Sequence, residues 1–365
     1  MGTAKKNVIA YYISAHGYGH GVRSCDIIRA INLTCPHLAV DIVCILPPEF
    51  LSNRIGSVRN SIRKNSFDIG MVQKDSIRVD VAATLASLEK LYSQREELIE
   101  REVRYLEQRN VAVVICDIPD LPLEAAAIAG IPRMAVGNFG WDWIYSNFIR
   151  QDPRWKGIVE RIREAYGKTD LLLRLPFSDA MGAFPVIEDI PLVASPGKSR
   201  RNAIAGLTCC DKSKRWILLS FTSLDWSEEA LDRIEKITDY EFFTVCPLAW
   251  KRRNIHALRR EQVTFSDIVA SVDAVVSKPG FGIMSDCVVN RRPLIYAERS
   301  DFSEFAVLEA AIRRHLKYIH IPAEELYRGD LLPSIDGIWD RPEAIEPVRH
   351  GGDVIAARRI GSLAE

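Results

Sequence analysis

Continuous apolar runs alternate with segments of helical periodicity along the first half of the chain. Residues 7–13 (NVIAYYI) form a β-rich run, followed by a glycine-rich turn and a periodic segment at 22–32. Residues 39–46 (AVDIVCIL) form a second run, stopped by Pro47 and Pro48. The stretch 79–108 carries helix formers and alternating charge, 111–116 (VAVVIC) reads as a strand, 122–129 as a helix stopped by Gly130, and 131–136 as a further strand. Unbroken apolar strands separated by helices predict a parallel sheet covered on both faces.

Between about residues 185 and 214 turn formers and basic residues take over, which predicts a linker. Strands are then expected at 215–220, 241–245, 274–277, 293–296 and 317–320, with helices at 227–237, 283–290, 304–314 and 354–363. The division expected is therefore a first domain over 1–195, a linker over 196–213, a second domain over 214–350 and a closing helix over 351–365. A ligand is expected at the carboxyl ends of the strands, in the cleft between the two α/β units.

The length of 365 residues is more than one core usually serves, which agrees with two domains. Lys and Arg total 48 against 48 Asp and Glu, so the long-range pull on phosphate polymers that nucleic-acid binders use is missing. No apolar run reaches the ~20 residues that span a bilayer, and the basic start runs into SAHGYGH, unlike a secretory leader. The eight cysteines include no C-x-x-C pair and several lie in apolar runs, so they read as small hydrophobes in a reducing cytoplasm.

Two motifs carry candidate chemistry. In SAHGYGHGVRSCD a strand enters Gly17, Gly19 and Gly21, and a helix is expected from about Val22. Glycines at such a junction let backbone amides approach an anion, although the last glycine of the dinucleotide fingerprint is replaced by Arg23. His16 and His20 flank the glycines, and an imidazole there can take a proton from a hydroxyl or water near neutral pH. His20 is the first choice for that base and His16 the reserve. In SKPGFGIMSDC, Lys278, Gly280, Phe281 and Gly282 form a second strand–loop–helix junction suited to a diphosphate. Asp286 lies a turn along the helix, within reach of ribose hydroxyls. Asp301, Ser303 and Glu304 cap the next helix or hold sugar hydroxyls. Asp117 closes a strand, where it orients the histidine, binds an acceptor or caps the helix that follows. Asn138, Trp141, Asp142 and Trp143 either meet an acceptor or pack in the core.

The strand–KPGFG–helix–RRP–strand–acidic-loop pattern resembles the nucleotide-sugar site of GT-B glycosyltransferases, among them the peptidoglycan UDP-N-acetylglucosamine transferase. The resemblance implies two Rossmann-like, doubly wound α/β domains facing across a cleft, with the acceptor side first and the nucleotide-sugar side second. It also implies that Asp286 binds ribose, where glutamate is usual, and that the donor-sugar pair falls at Asp301–Glu304, with Glu304 where glutamine is usual. Thr222 and Ser223 match the short loop over the donor phosphates, and Gly17 and Gly19 join the site from the first motif. His20 stands where many inverting members carry their base. The same G-x-G-H-x-x-R pattern is similar to one in nucleotide-sugar hydrolases of pseudaminic acid synthesis.

SAHGYGHGVRSCD, VICDIPDLPLEAAAIAGIPRMAVGNFGWDWIY and SKPGFGIMSDCVVNRRPLIYAERSDFSEF together resemble the glycosyltransferase-like region of plant-type L-arabinokinases and its stand-alone bacterial relatives. HGGDVIAARRI resembles the helix that closes GT-B chains by packing back on the first domain. The glycine- and serine-rich phosphate loop of the kinase half is not found, so sugar phosphorylation is not expected. The resemblance implies inverting transfer from a nucleotide-diphosphate sugar, a UDP-sugar for preference, to a small-molecule, glycan or lipid acceptor. No cofactor is expected, and no metal, since no D-x-D motif ends a strand. A nucleotide-sugar hydrolase or epimerase is the alternative reading, and a non-catalytic nucleotide-sugar-binding module the second.

Overall fold

In the computed structural model, which describes residues 6–14, 16–56, 59–76, 78–298 and 304–365, the apolar runs become the inner strands of two separate sheets. The first sheet contains β1 (Val8–Ile13), β2 (Ala39–Cys44), β3 (Asn60–Lys64), β4 (Val111–Asp117), β5 (Arg133–Gly137), β6 (Leu171–Arg174) and β7 (Ile187–Asp189). Its order is β3-β2-β1-β4-β5-β6-β7, parallel throughout. Every residue of β1 and β4 is buried, as expected of central strands covered on both faces.

The second sheet contains β8 (Arg215–Ser220), β9 (Tyr240–Val245), β10 (Ile255–Leu258), β11 (Ala274–Ser277), β12 (Leu294–Ala297) and β13 (Tyr318–Ile321). It is also parallel, in the order β10-β9-β8-β11-β12-β13. In each sheet the chain works outward from its first strand to one edge and then returns to the other side. The order therefore reverses between β1 and β4 and between β8 and β11, where open α/β sheets hold ligands at the carboxyl ends of the strands.

Two compact units result. One takes in Met1–Val72, Asp80–Ala194 and Arg349–Glu365, and the other Gln73–Val79 and Ser195–Val348. The excursion of Gln73–Val79 into the second unit has no counterpart in the sequence reading. The stretch 196–213, read as a linker, carries the helix Arg201–Thr208 and packs within the second unit. Arg201 donates to Asp273 at 2.9 Å and lies 4.2 Å over the Trp216 ring. The C-terminal helix Gly352–Ala364 packs in the first unit against the helix Tyr18–Thr34, with Ala356, Ala357 and Ile360 in the core.

The long stretch 79–108 is two helices, Val81–Ser93 and Arg95–Gln108, the first capped by Asp80, which accepts from Ala83 N at 2.9 Å. The helix expected from Val22 begins instead at Tyr18, so Gly19 and Gly21 are helical. Only Gly17, at φ 80°, uses a glycine's backbone freedom. Gly21 serves packing, since a Cβ there would come within 3.1 Å of the Phe50 ring and closer still to Leu46. All eight cysteines are free thiols, four of them buried. Among the described residues no helix is long and apolar enough to cross a membrane.

Asp120, buried ahead of the helix Leu121–Ile128, accepts from the Tyr92 hydroxyl at 2.7 Å. Burial pushes its carboxyl up to about 7 in spite of that bond, and Asp68 and Glu124 add to the effect. The folded chain therefore keeps a proton that the unfolded chain releases near the ordinary value of 3.8. Stability that is complete below that value falls as pH rises toward 7, by at most ~1.4 kcal/mol per pH unit. Asp120→Asn should flatten that fall, which urea unfolding at pH 5 and pH 8 will measure.

Candidate active site

The helix beginning at Tyr18 presents His20, Arg23 and Ser24 on one face, because positions i, i+3 and i+4 coincide on an α-helix. That face meets Asp117, the last residue of β4, where the order of the first sheet reverses. The backbone closes the same edge, Ser14 N donating to Asp117 O at 2.8 Å.

Asp117 is fully buried and its carboxylate is saturated with donors. His20 Nδ1 lies 2.8 Å from Oδ1, Arg23 Nε donates to Oδ2 at 2.7 Å and Ser24 Oγ to Oδ2 at 2.8 Å, and Arg23 Nη2 also donates to Oδ1. Burial alone would raise this carboxyl. Arg23 and then His20 outweigh it and hold the group well below the usual carboxylate range. An ionised carboxylate only accepts, so in the neutral ring of His20 the proton sits on Nδ1 and the lone pair on Nε2. Arg23 Nη2, 2.9 Å from the same Nδ1, turns a hydrogen to the same oxygen.

His16 has the opposite tautomer. Its Nδ1 accepts from Met71 N at 3.2 Å, which leaves Nε2 to carry the proton of the neutral ring. The ring is fixed by its surroundings, with Trp141 edge-on at 5.3 Å and Gly70, at φ +67°, lying so close that a Cβ would come within 2.6 Å of it. Tyr145 stacks on Trp141 at 5.4 Å and donates to Gly70 O at 2.9 Å. The two histidine rings are 6.5 Å apart. His20 is thus the ring with a basic nitrogen, and His16 the one with a donor.

Of the residues read as acceptor contacts, Asn138 and Trp141 belong to this cluster and Asp142 turns away from it. Asn138 accepts from Arg23 Nη1 and donates to Pro176 O at 2.6 Å. Trp141 is 1% exposed and donates to Asp68 at 2.9 Å, so it walls the site. Asp142 pairs with Arg163 at 3.1 Å, and burial raises its carboxyl in spite of that partner. Gly17 and Gly19 are exposed at the mouth of the turn. Arg23 and Ser24 had no assigned role in the sequence, although their spacing from His20 was visible. Gly70 and Met71 gave no signal, since only the folded chain brings them to His16.

In the second unit β8 and β11 lie side by side, Ser220 in register with Ser277, whose Oγ donates to Ser220 O at 3.0 Å. Their loops, one with Thr222 and Ser223 and the other with Lys278 and Gly280, leave the same sheet edge where the order reverses. The helix Phe281–Asn290 starts directly after Gly280, so Phe281 and Gly282 lie in its first turn. Asp286 is buried on that helix and accepts from Ser266 Oγ at 3.4 Å. Glu304 is buried at the start of the helix Glu304–His315, while Asp301 and Ser303 lie outside the described residues. A further group is Ser76, whose Oγ accepts from Thr222 N at 3.1 Å and Ser223 N at 2.9 Å.

No family model matches this chain. It is 29% identical over 360 residues to an L-arabinokinase of Arabidopsis thaliana, across 96% of this chain and 33% of that protein. The chain thus spans about a third of the length of that relative. Among solved structures it is similar to the glycotransferase of kitacinnamycin, with a TM-score of 0.61 at 14% identity over 99% of this chain and 100% of the other. The putative UDP-N-acetylglucosamine 2-epimerase from Listeria monocytogenes gives a TM-score of 0.60 at 14% identity over 98% and 95%. UGT2 of Phytolacca americana, complexed with UDP-2-fluoro-glucose and pterostilbene, gives 0.59 at 13% over 98% and 94%. The two doubly wound parallel sheets are those of the GT-B fold.

Removing the Asp117 charge leaves the Arg23 guanidinium buried without its counter-charge. Asp117→Asn should cost ~3–5 kcal/mol of stability in urea unfolding at pH 7. Because this carboxyl is depressed from 3.8, its contribution is complete above that value and is lost only as pH falls through the still lower folded value. The gap between wild type and Asp117→Asn should therefore persist from pH 8 down to pH 5.

Proposed function

We propose that the chain is a metal-independent, inverting glycosyltransferase that moves a sugar from a nucleotide diphosphate, preferably a UDP-sugar, to a small-molecule, glycan or lipid acceptor in the cytoplasm. The observation that carries this reading is the Asp117–His20 pair, which leaves His20 Nε2 as an acceptor of protons at the reversal point of the first sheet. The GT-B fold and the likeness to an L-arabinokinase over most of this chain support it.

In this reading the amides at the start of the helix Phe281–Asn290, with Lys278 beside them, hold the diphosphate, and Asp286 holds the ribose. Charge grows on the diphosphate as the glycosidic bond breaks, so fixed amide dipoles favour that stage over the ground state. Asp301, Ser303 and Glu304 serve the donor sugar. His20 Nε2 takes the acceptor's hydroxyl proton as the new bond forms on the opposite face of the sugar, and Asp117 keeps the ring in the right tautomer. His16, with its donor nitrogen, orients an acceptor oxygen and does not deprotonate it.

A second reading is a nucleotide-sugar hydrolase or epimerase. The similarity to the putative UDP-N-acetylglucosamine 2-epimerase structure, equal in degree to that of the transferases, favours it, and a base at His20 suits water as well as a hydroxyl. A binding module without turnover is disfavoured, since holding a nucleotide makes no use of a histidine oriented with a proton-accepting nitrogen.

A panel of nucleotide sugars with and without candidate acceptors tests the reading. Nucleotide release that rises with acceptor is expected, and release that never depends on acceptor favours hydrolysis. His20→Ala should lower turnover by ~10²–10⁴-fold with little change in nucleotide affinity. His16→Ala should cost less, and Asp286→Ala should act on nucleotide affinity first. Unchanged turnover in His20→Ala removes it as the base.

A further inference from the structure

Gln73–Val79 leaves the chain between β3 and the helix Val81–Ser93 yet packs as part of the second unit. On either side of Ile77, which lies outside the described residues, the stretch pairs as the two arms of a hairpin, with Gln73 and Val79 bridged antiparallel and Arg78 O accepting from Lys74 N at 2.9 Å and Asp75 N at 3.3 Å. Asp75 anchors it. Its carboxylate accepts from Arg78 N at 2.8 Å, Arg78 Nε at 2.7 Å and the Tyr327 hydroxyl at 3.0 Å. The Arg78 guanidinium lies 5.4 Å from the centre of the Tyr327 ring.

Ser76, 1% exposed, is held at the end of β8 by this anchor. Its Oγ takes the N–H groups of both Thr222 and Ser223 and lies 3.0 Å from Thr222 Oγ1. Successive amides aimed at one point form a concavity that suits an anionic oxygen. This pair leaves the strand next to β11, at the reversal point of the sheet, beside the Lys278–Gly280 loop. The oxygen it holds is a neutral serine hydroxyl, which cannot share the position with a phosphate oxygen.

We propose that the hairpin is a built-in competitor of the donor: Ser76 Oγ occupies the amide pair at rest, and a phosphate oxygen of a nucleotide diphosphate replaces it and releases the hairpin. The proposal deepens, and rests on, the reading of Thr222, Ser223 and Lys278–Gly282 as a diphosphate site. Its physical basis is exchange of two amide–hydroxyl bonds for two charge-assisted ones, the latter being the stronger.

Calorimetry of the full chain with UDP, joined to hydrogen exchange of peptides covering 71–80 and 219–226, tests it. Ser76→Ala should bind UDP about 3- to 10-fold more tightly than wild type, the worth of about one ordinary hydrogen bond. Tyr327→Phe, which loosens the anchor without touching the amides, should shift affinity the same way. Saturating UDP should raise exchange in 71–80 while 219–226 stays protected. Equal or weaker binding by both variants, or unchanged protection of 71–80 at saturation, overturns the competitor and leaves the diphosphate site standing. If wild type and both variants all fail to take up UDP or pyrophosphate, the diphosphate site itself is overturned, and the competitor with it. Binding by the variants but not by wild type supports both.

Discussion

The carboxylate of Asp117 is the charge around which the first unit is arranged. Moving such a group out of water costs several kcal/mol even after relaxation, so it persists only where donors surround it. Four side-chain donor groups do so: His20 Nδ1, two nitrogens of Arg23 and the Ser24 hydroxyl. All three residues that supply them come from one helix, which must start before His20 to place them on one face. Gly17, at φ 80°, lets β1 turn into that helix, and Gly21 lets it settle against Leu46 and Phe50. Asn138, after β5, then takes the remaining hydrogen-bonding edge of Arg23.

The two units share a topology and put different chemistry at the same point of it. Where the first sheet reverses order, the chain gathers charged and ring side chains able to hold or move a proton. Where the second reverses, it offers backbone amides, hydroxyls and one helix start, which suit an anion and not proton transfer. Such a separation fits the proposed reaction, with one proton to accept and one leaving diphosphate to steady.

Most of the sheet framework was legible because central parallel strands are apolar on both faces. The runs at 215–220 and 274–277 coincide with β8 and β11, and 111–116 falls one residue short of β4. Four strands escaped: the edge strands β3, β7 and β10, since NSIRK, IED and IHAL are short and half-exposed and carry no unbroken apolar run, and the inner strand β6, whose apolar run LLL is only three residues long. The start of the first helix was misplaced because its glycines were taken as loop residues. Gly19 and Gly21 are helical, and what Gly21 accommodates is a neighbouring side chain. His20 and Asp117 were each visible as chemistry, and their pairing was one of three readings of Asp117; the sheet, which joins positions 97 apart, is what selects it. The hairpin at Gln73–Val79 left no trace in periodicity, because its place is fixed by Asp75, Arg78 and Tyr327 and not by an apolar pattern.

Arg23 limits what Asp117 can do for His20. A lone aspartate beside a histidine lends a full negative charge to the imidazolium that forms on proton uptake. Here that charge is already matched by a guanidinium bonded to both carboxylate oxygens, which also lies 2.9 Å from the ring nitrogen. Asp117 orients the ring and fixes its tautomer. In the proposed transfer, proton uptake by His20 is therefore placed in step with bond formation and not ahead of it. Its best moment is late, when the attacking oxygen has begun to bond to the sugar and its hydrogen has become acidic. Breaking of the donor's glycosidic bond would then, in the proposed transfer, run ahead of proton uptake, which puts the larger demand on the groups proposed to steady the departing diphosphate.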